Sequence, residues 1–451
     1  MPTSQPTIEV PDAVRAVMDR LWSRGHAAYV VGGSVRDALL GRSAQDWDLA
    51  TDARPDRLLA VFPSAVYENQ FGTVAVREGD AIHEVTTFRT DHDYADFRRP
   101  HRVEFGDDIR LDLARRDFTI NAIAWGHEAD ADASALVDPF DGVADIERRL
   151  LRAVGDPGAR FGEDALRMVR AVRLAAVLDF SIEPATLAAI RDNAGLAAHV
   201  SGERVSAELE KLLAAARPST GFRLMAETGL LGVLLPELAA QRGVPQNKVE
   251  GEDLFDHTLR SVDDAPADRP VVRLAALLHD LGKPATLDDG PFRGHEVVGA
   301  EMAQGLLDRL HTPRAATERV VNLVRQHMFN YDETWGDAGV RRFIQRVGTD
   351  AVDDLFELRR ADNAGSGVPP DAHGLDDLRD RVQAELAASV VLDRSRLAVR
   401  GDDLMAELSI PAGPRLGRIL DDLLERVIAE PKLNDRATLL LLAESMLTED
   451  R

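Results

Sequence analysis

The sequence predicts an α/β domain over its first third, followed by all-α domains. Three observations carry this. Up to about residue 150, short apolar or alternating runs interleave with amphipathic segments; beyond it strand signals vanish; and from there Leu, Ala, Val and Arg recur at helical spacing to the end. At 451 residues the chain is too long for one ordinary core. Pro/Gly clusters near 155–158, 243–251, 288–294, 364–370 and 409–414 punctuate the helical part. The expected domains are 1–150, 151–250, 251–365 and 366–451.

Taken in order, residues 11–24 carry Val14, Val17, Met18 and Leu21 at helical spacing. AAYVVGG (27–33) is an apolar strand ending in glycines, and VRDALLG is a helix closed by Gly41. Strands are expected at 46–51, 72–78 and 81–88.

The composition is 29% charged and 45% apolar, ordinary for a globular protein. No run approaches the roughly 18 apolar residues of a membrane span. The start shows no basic region followed by an apolar stretch, so no signal peptide is expected. The absence of cysteine excludes disulfides and thiolate zinc sites and fits a reducing, cytoplasmic setting. A net charge of −23 argues against wholesale binding to a polyanion. Basic residues nevertheless cluster at Arg98, Arg99, His101 and Arg102, at Arg115 and Arg116, and at Arg148, Arg149 and Arg152, so selected faces remain open to phosphate.

The chemistry-bearing order begins with the glycine-rich turn VVGGSVRDALLGR (30–42), open enough to cradle phosphates, with Arg36 to neutralise them. Asp46 and Asp48 follow on an expected strand, where alternation points both one way and Trp47 the other. Two such carboxylates can hold a pair of Mg²⁺ ions about 3.5–4 Å apart for displacement at phosphorus. LARRDFTINAIAW (113–125) sets Arg115, Arg116, Asp117 and Asn121 beside an expected helix start suited to an anion. In FGEDALRMVRAVRLAA (161–176), Ala165, Met168, Val169, Val172 and Ala176 form an apolar stripe on a helical wheel. Asp164, Arg167, Arg170 and Arg173 occupy the opposite side, an acceptor beside donors able to read a base edge.

GGSVRD, DWD, EVTTFR, RRDFTINA, EDALRMVRAVR and ERVSAELEKL run in order over residues 30–213. Together they resemble the bacterial class II tRNA nucleotidyltransferases, the CCA-adding enzymes and their poly(A) polymerase relatives. The resemblance implies a polymerase-β-like nucleotidyltransferase domain that adds CMP and AMP from CTP and ATP to the 3′ end of tRNA. By resemblance, Asp46 and Asp48 bind catalytic Mg²⁺, and Glu84 is a candidate third carboxylate. Gly32, Gly33, Arg36 and Arg116 would contact the triphosphate, with Asp117 and Asn121 beside them. Asp164 and Arg167 would pair with the base edge, and Arg170 and Arg173 would assist on the sugar–phosphate. The family places a flexible loop after EVTTFR, here 91–108, whose presence argues for complete CCA addition or for A addition. Poly(A) synthesis and A addition share most of these motifs and stay open.

A second constellation comprises His257, the adjacent His279-Asp280 pair, His295 and Asp362, with His327 as a further pocket residue. Histidines and carboxylates without sulfur suit Mn²⁺, Mg²⁺, Fe or Ni²⁺. The order resembles the HD phosphohydrolase superfamily, which implies a metal-dependent hydrolase for RNA 3′-terminal phosphates. A phosphohydrolase whose first domain merely binds RNA is the competing reading. A non-catalytic RNA-binding protein is disfavoured by the acidity and the retained carboxylates.

Overall fold

A computed structural model describes residues 8–449 apart from 45, 68–71, 95–99, 132, 247, 290–291 and 389. The chain divides into two compact units, Met1–Ala239 and Ala240–Arg451. Among the described residues no helix is long and apolar enough to cross a membrane.

The first unit is built on a seven-stranded sheet. Its strands are β1 (Ala28–Val31), β2 (Asp48–Thr51), β3 (Val66–Tyr67), β4 (Thr73–Glu78), β5 (Ala81–Thr87), β8 (Ala124–His127) and β9 (Ala135–Val137). A separate two-stranded ribbon pairs β6 (Arg89–Tyr94) with β7 (Pro100–Phe105). The sheet order is β3-β4-β5-β2-β1-β8-β9, with β2 and β5 parallel and the other neighbours antiparallel. All four β1 residues are buried, because both faces of this central strand are covered. Tyr29 and Val31 join Ala50, Phe88, Leu113 and Ala124 in one core cluster. The helix Asp12–Trp22 buries Val14, Val17, Met18 and Leu21, the stripe its spacing predicts.

Several expectations are corrected here. Asp46 and Trp47 precede the strand, which starts at Asp48, so the pair straddles a loop and a strand end. The segment after EVTTFR is not a loop throughout: β6 and β7 pair in register, Arg89 opposite Phe105 and Asp91 opposite Val103. Its polar residues gave no apolar alternation to reveal it, since backbone pairing alone defines the ribbon. Arg98 and Arg99 of the first basic cluster lie outside the described residues. β8 and β9 went unread, and strand signal does not wholly end at 150, because Leu150–Leu151 pairs in parallel with Ser181–Ile182. Arg115 and Arg116 follow the C-terminal end of the helix Ile109–Ala114 and do not flank a helix start.

Helices otherwise make up the rest of the first unit. Pro157–Glu163 and Leu166–Leu178 are two helices, not one, broken where Asp164 adopts φ −145° and ψ 105°.

The second unit is helical throughout its named elements. Leu254–Asp264 opens with a reciprocal cap in which Asp256 N–H donates to Asp253 Oδ1 at 2.9 Å. Pro270–Leu278, His295–Arg309, Arg314–Gln326 and Val352–Gly365 complete the set that carries the second constellation. Past it, Val399, Leu404, Leu423, Val427 and Leu439 centre a distinct C-terminal core.

Candidate functional sites

In the first unit, a polar cavity of about 380 Å³ is lined by Gly33, Arg36, Asp46, Asp48, Arg116, Asp117, Asn121, Arg170 and Arg173. Trp47, on the loop before the strand, lines a different pocket. The strand end delivers Asp48 from the sheet, and the β1 turn delivers Gly33 and Arg36. Gly32 makes that turn with φ +78°, and a Cβ there would come within 2.6 Å of Arg116 Nη1. Its role is thus to let Arg116 close on the turn. Ser34, Asp37, Ser43 and Lys211 also line the cavity and were not foreseen; Asp37 and Lys211 stand in the GGSVRD and ERVSAELEKL motifs.

Three of the cations, Arg36, Arg170 and Arg173, are held by one chain of hydrogen bonds. Arg36 donates to Asp37 Oδ1 at 2.9 Å and to Asn121 Oδ1 at 2.7 Å. Asn121 Nδ2 donates to Asp117 at 3.1 Å, and Asp117 accepts from Arg170 Nε at 2.8 Å. Glu208, 4% exposed, accepts from Arg173 Nε at 2.7 Å and faces Arg170 Nη1 at 3.5 Å. Burial pushes the Asp117 carboxyl up, but Arg170 and the Asn121 hydrogen bond outweigh it and hold the group at about 2. Asp117 chiefly raises the pKa of Arg170 in return, so that guanidinium stays charged. Asp48 is shifted upward, first by loss of solvation and also by Asp46, while Arg116 opposes. Two carboxylates lining one cavity beside an arginine form an all-oxygen donor set, which suits a hard divalent cation.

Besides Gly32, which shapes the turn, three expected residues stand outside the cavity lining. Glu84 lies on β5, where the parallel register Leu49–Val85 sets it abreast of Asp48 at the same sheet end. Asp164 and Arg167 do not pair with each other, because the helix break separates them. Asp164 accepts from Arg204 Nη1 and Nη2 at 3.1 and 2.7 Å, and Arg167 donates to Glu163 at 2.6 Å and to the Arg115 carbonyl at 3.0 Å. Arg167 is itself buried, only 9% exposed.

In the second unit, His257, His279, Asp280 and Asp362 converge. His257 Nε2 lies 3.3 Å from both Asp280 Oδ2 and Asp362 Oδ1, and His279 Nε2 is 3.1 Å from Asp280 Oδ2. His295 and His327 form a second triad with the other oxygen: His295 Nε2 stands 3.3 Å and His327 Nε2 3.7 Å from Asp280 Oδ1. Asp280 thus joins two ligand groups, each with its donor atoms within 4.8 Å of one another. The sequence places His295 in the constellation without marking it as a metal ligand, and His327 only as a further pocket residue. Helix ends place the ligands: His279 and His327 follow helices, and His295 begins one after Gly294. Gly282 permits the approach, since a Cβ there would meet the His295 carbonyl at 2.2 Å.

The donor chemistry fits metal. His279, His295 and His327 each direct Nδ1 at a backbone carbonyl, of Ala276, Phe292 and Val324, at 2.7–2.8 Å. A carbonyl only accepts, so each Nδ1 carries a proton and each Nε2 is turned inward, where it can offer a lone pair to a cation. Burial and the neighbouring His279 hold His327 at about 3, hence neutral. Burial pushes the Asp280 carboxyl up, yet His279 and Lys283 hold it well below the usual range. A cavity of about 460 Å³ opens over this centre, where Lys248, Lys283 and Arg359 face Phe292, Met328 and Val368.

Comparison with known proteins identifies the domains that carry these two cavities. Residues 28–152 match the Poly A polymerase head domain, 179–242 the probable RNA and SrmB-binding site of polymerase A, and 251–364 the HD domain. The CCA-adding enzyme of Limosilactobacillus fermentum is 35% identical over 437 residues, covering 97% of each chain. That of Geobacillus stearothermophilus is 46% identical over 413 residues, covering 91% of each. The crystal structure of the Bacillus stearothermophilus CCA-adding enzyme in complex with CTP superposes with a TM-score of 0.74 at 30% identity, over 98% of this chain and 99% of that one. This chain belongs to the CCA-adding enzyme family of nucleotidyltransferases, with a polymerase head domain and an HD domain.

Proposed function

We propose that the protein rebuilds the 3′ end of tRNA by successive transfer of CMP and AMP from CTP and ATP. The observation that supports this best is the convergence of Asp46 and Asp48 with Arg36, Arg116, Arg170 and Arg173 on one cavity. Asp46 and Asp48 would hold Mg²⁺, with Glu84 abreast of them. When bound, such ions supply a lowered pKa for the attacking hydroxyl and charge neutralisation on the departing pyrophosphate. Arg36 and Arg116 offset triphosphate charge, and Asp117 and Asn121 hold Arg170 and Arg36 in place. Arg170 and Arg173 would steady the sugar–phosphate.

Asp164 and Arg167 would select the base. Cytosine and adenine both present an exocyclic amino donor beside a ring-nitrogen acceptor; uracil and guanine present the reverse order. A carboxylate to accept from the amino group and a guanidinium to donate to the ring nitrogen match the first pair. The test is a tRNA transcript lacking its last three nucleotides, given Mg²⁺ with CTP, ATP or both. Two additions with CTP and three with both are expected. Incorporation of ATP alone would favour an A-adding or poly(A) activity instead.

A second activity is favoured by the HD centre. His257, His279, Asp280 and Asp362, with His295 and His327 across Asp280, would hold divalent cations such as Mn²⁺, Ni²⁺, Fe²⁺ or Mg²⁺. Lys248, Lys283 and Arg359 would receive a phosphate ester at an RNA 3′ end. Hydrolysis of a 2′,3′-cyclic phosphate is expected to stop on chelation and return with added metal. Activity that survives complete metal removal would refute this reading.

A further inference from the structure

The helix Gly202–Leu213 carries Arg204 and Glu208, one turn apart and of opposite charge. Each grips its complement in the segment proposed to select nucleotides. Arg204 holds both oxygens of Asp164, and Glu208 holds Arg173 while facing Arg170. Asp164 has special need of such a partner. It lies in extended backbone between two helices, so no helical turn orients its side chain. Its other hydrogen-bond donor is the nearby Leu166 N–H, at 3.1 Å to Oδ1. A two-pronged guanidinium fixes the plane of a carboxylate, which a single point charge does not. An ionised carboxylate has about four acceptor positions, so the fork leaves room for a base amino group.

We propose that Arg204 is the positioning residue for Asp164, and Glu208 for Arg170 and Arg173. One helix thereby sets nucleotide choice without touching the nucleotide. The inference rests on the reading of Asp164 as a base-selecting acceptor, and its test separates the two.

The measurement is kcat/KM for CTP and for UTP at the first addition, in the full-length enzyme. Arg204→Gln is expected to lower the CTP:UTP ratio about tenfold or more. Arg204→Lys, which keeps the charge but not the fork, should recover only part of it. Glu208→Gln should raise KM for both nucleotides together while leaving their ratio near wild type. Asp164→Asn is the control. If it keeps the wild-type ratio, the base-selection reading fails. If it lowers the ratio while both Arg204 variants keep it, the positioning proposal fails alone. Thermal melts accompany each variant; should Arg204→Gln unfold, the Arg204→Lys enzyme decides the matter, and an unchanged ratio there overturns the proposal.

Discussion

His295 and His327 face each other through Nε2 atoms 3.2 Å apart, while each Nδ1 donates to a backbone carbonyl at 2.7 Å. Two inward lone pairs at that distance repel, and a cation between them and Asp280 relieves the repulsion. Metal analysis of a chain carrying Asp48→Ala, which removes the head-domain site from the count, is expected to find about two Mn²⁺ per chain. His327→Ala should lose one and Asp280→Asn weaken both. A single equivalent in the parent would rule out the second position.

Asp48→Ala should lower nucleotide incorporation by about 10³-fold, the equivalent of several kcal/mol of lost charge stabilisation. Binding of tRNA, followed by filter retention, should stay close to wild type. Extension at near wild-type rate would remove Asp48 from the chemistry.

Gly32 and Gly33 are adjacent but should respond differently. Gly32→Ala places a methyl at φ +78° and within 2.6 Å of Arg116, whereas the nearest atom to a Cβ at Gly33 is Arg36 Nη2 at 3.5 Å. The first change should destabilise the protein by about 1–2 kcal/mol and raise KM for the nucleotide. The second should do neither to a comparable degree. Urea melts and initial rates on the two variants distinguish them.

Asp117 supplies a pH test. Its folded-state carboxyl sits at about 2, below the ordinary 3.8, so it contributes stability above pH 4 that is lost as pH falls through 2. The contribution is about 2 kcal/mol. Asp117→Asn should therefore be less stable than wild type by a constant margin from pH 5 to 8. That margin should close between pH 4 and 2, measured by denaturant titration. A margin that is unchanged at pH 2.5 would show that the Arg170 pairing is not its source.

The sequence was most readable where periodicity and burial coincide. The apolar run of β1 and the stripe Val14, Val17, Met18 and Leu21 stand as their spacing implies. The convergence of His257, His279, Asp280 and Asp362 was legible because histidines are few in this chain and His279 and Asp280 are adjacent. The β6–β7 ribbon was missed because its pairing is made by backbone between polar residues. The wheel treatment of residues 161–176 placed the apolar stripe and the cavity-lining Arg170 and Arg173 correctly. It assumed one helix, however, whereas the backbone opens at Asp164 and long-range partners, Arg204 and Glu208, hold the charged side chains. Such partnerships join residues about 40 positions apart, beyond the reach of local pattern.

The linked side chains running from Asp37 to Arg173 have one more consequence. Mobile counterions reach fixed charges poorly when protein surrounds them, but they compete freely along an exposed RNA backbone. Raising ionic strength should therefore strip the polymeric substrate from the enzyme well before it disturbs occupancy by the monomeric one.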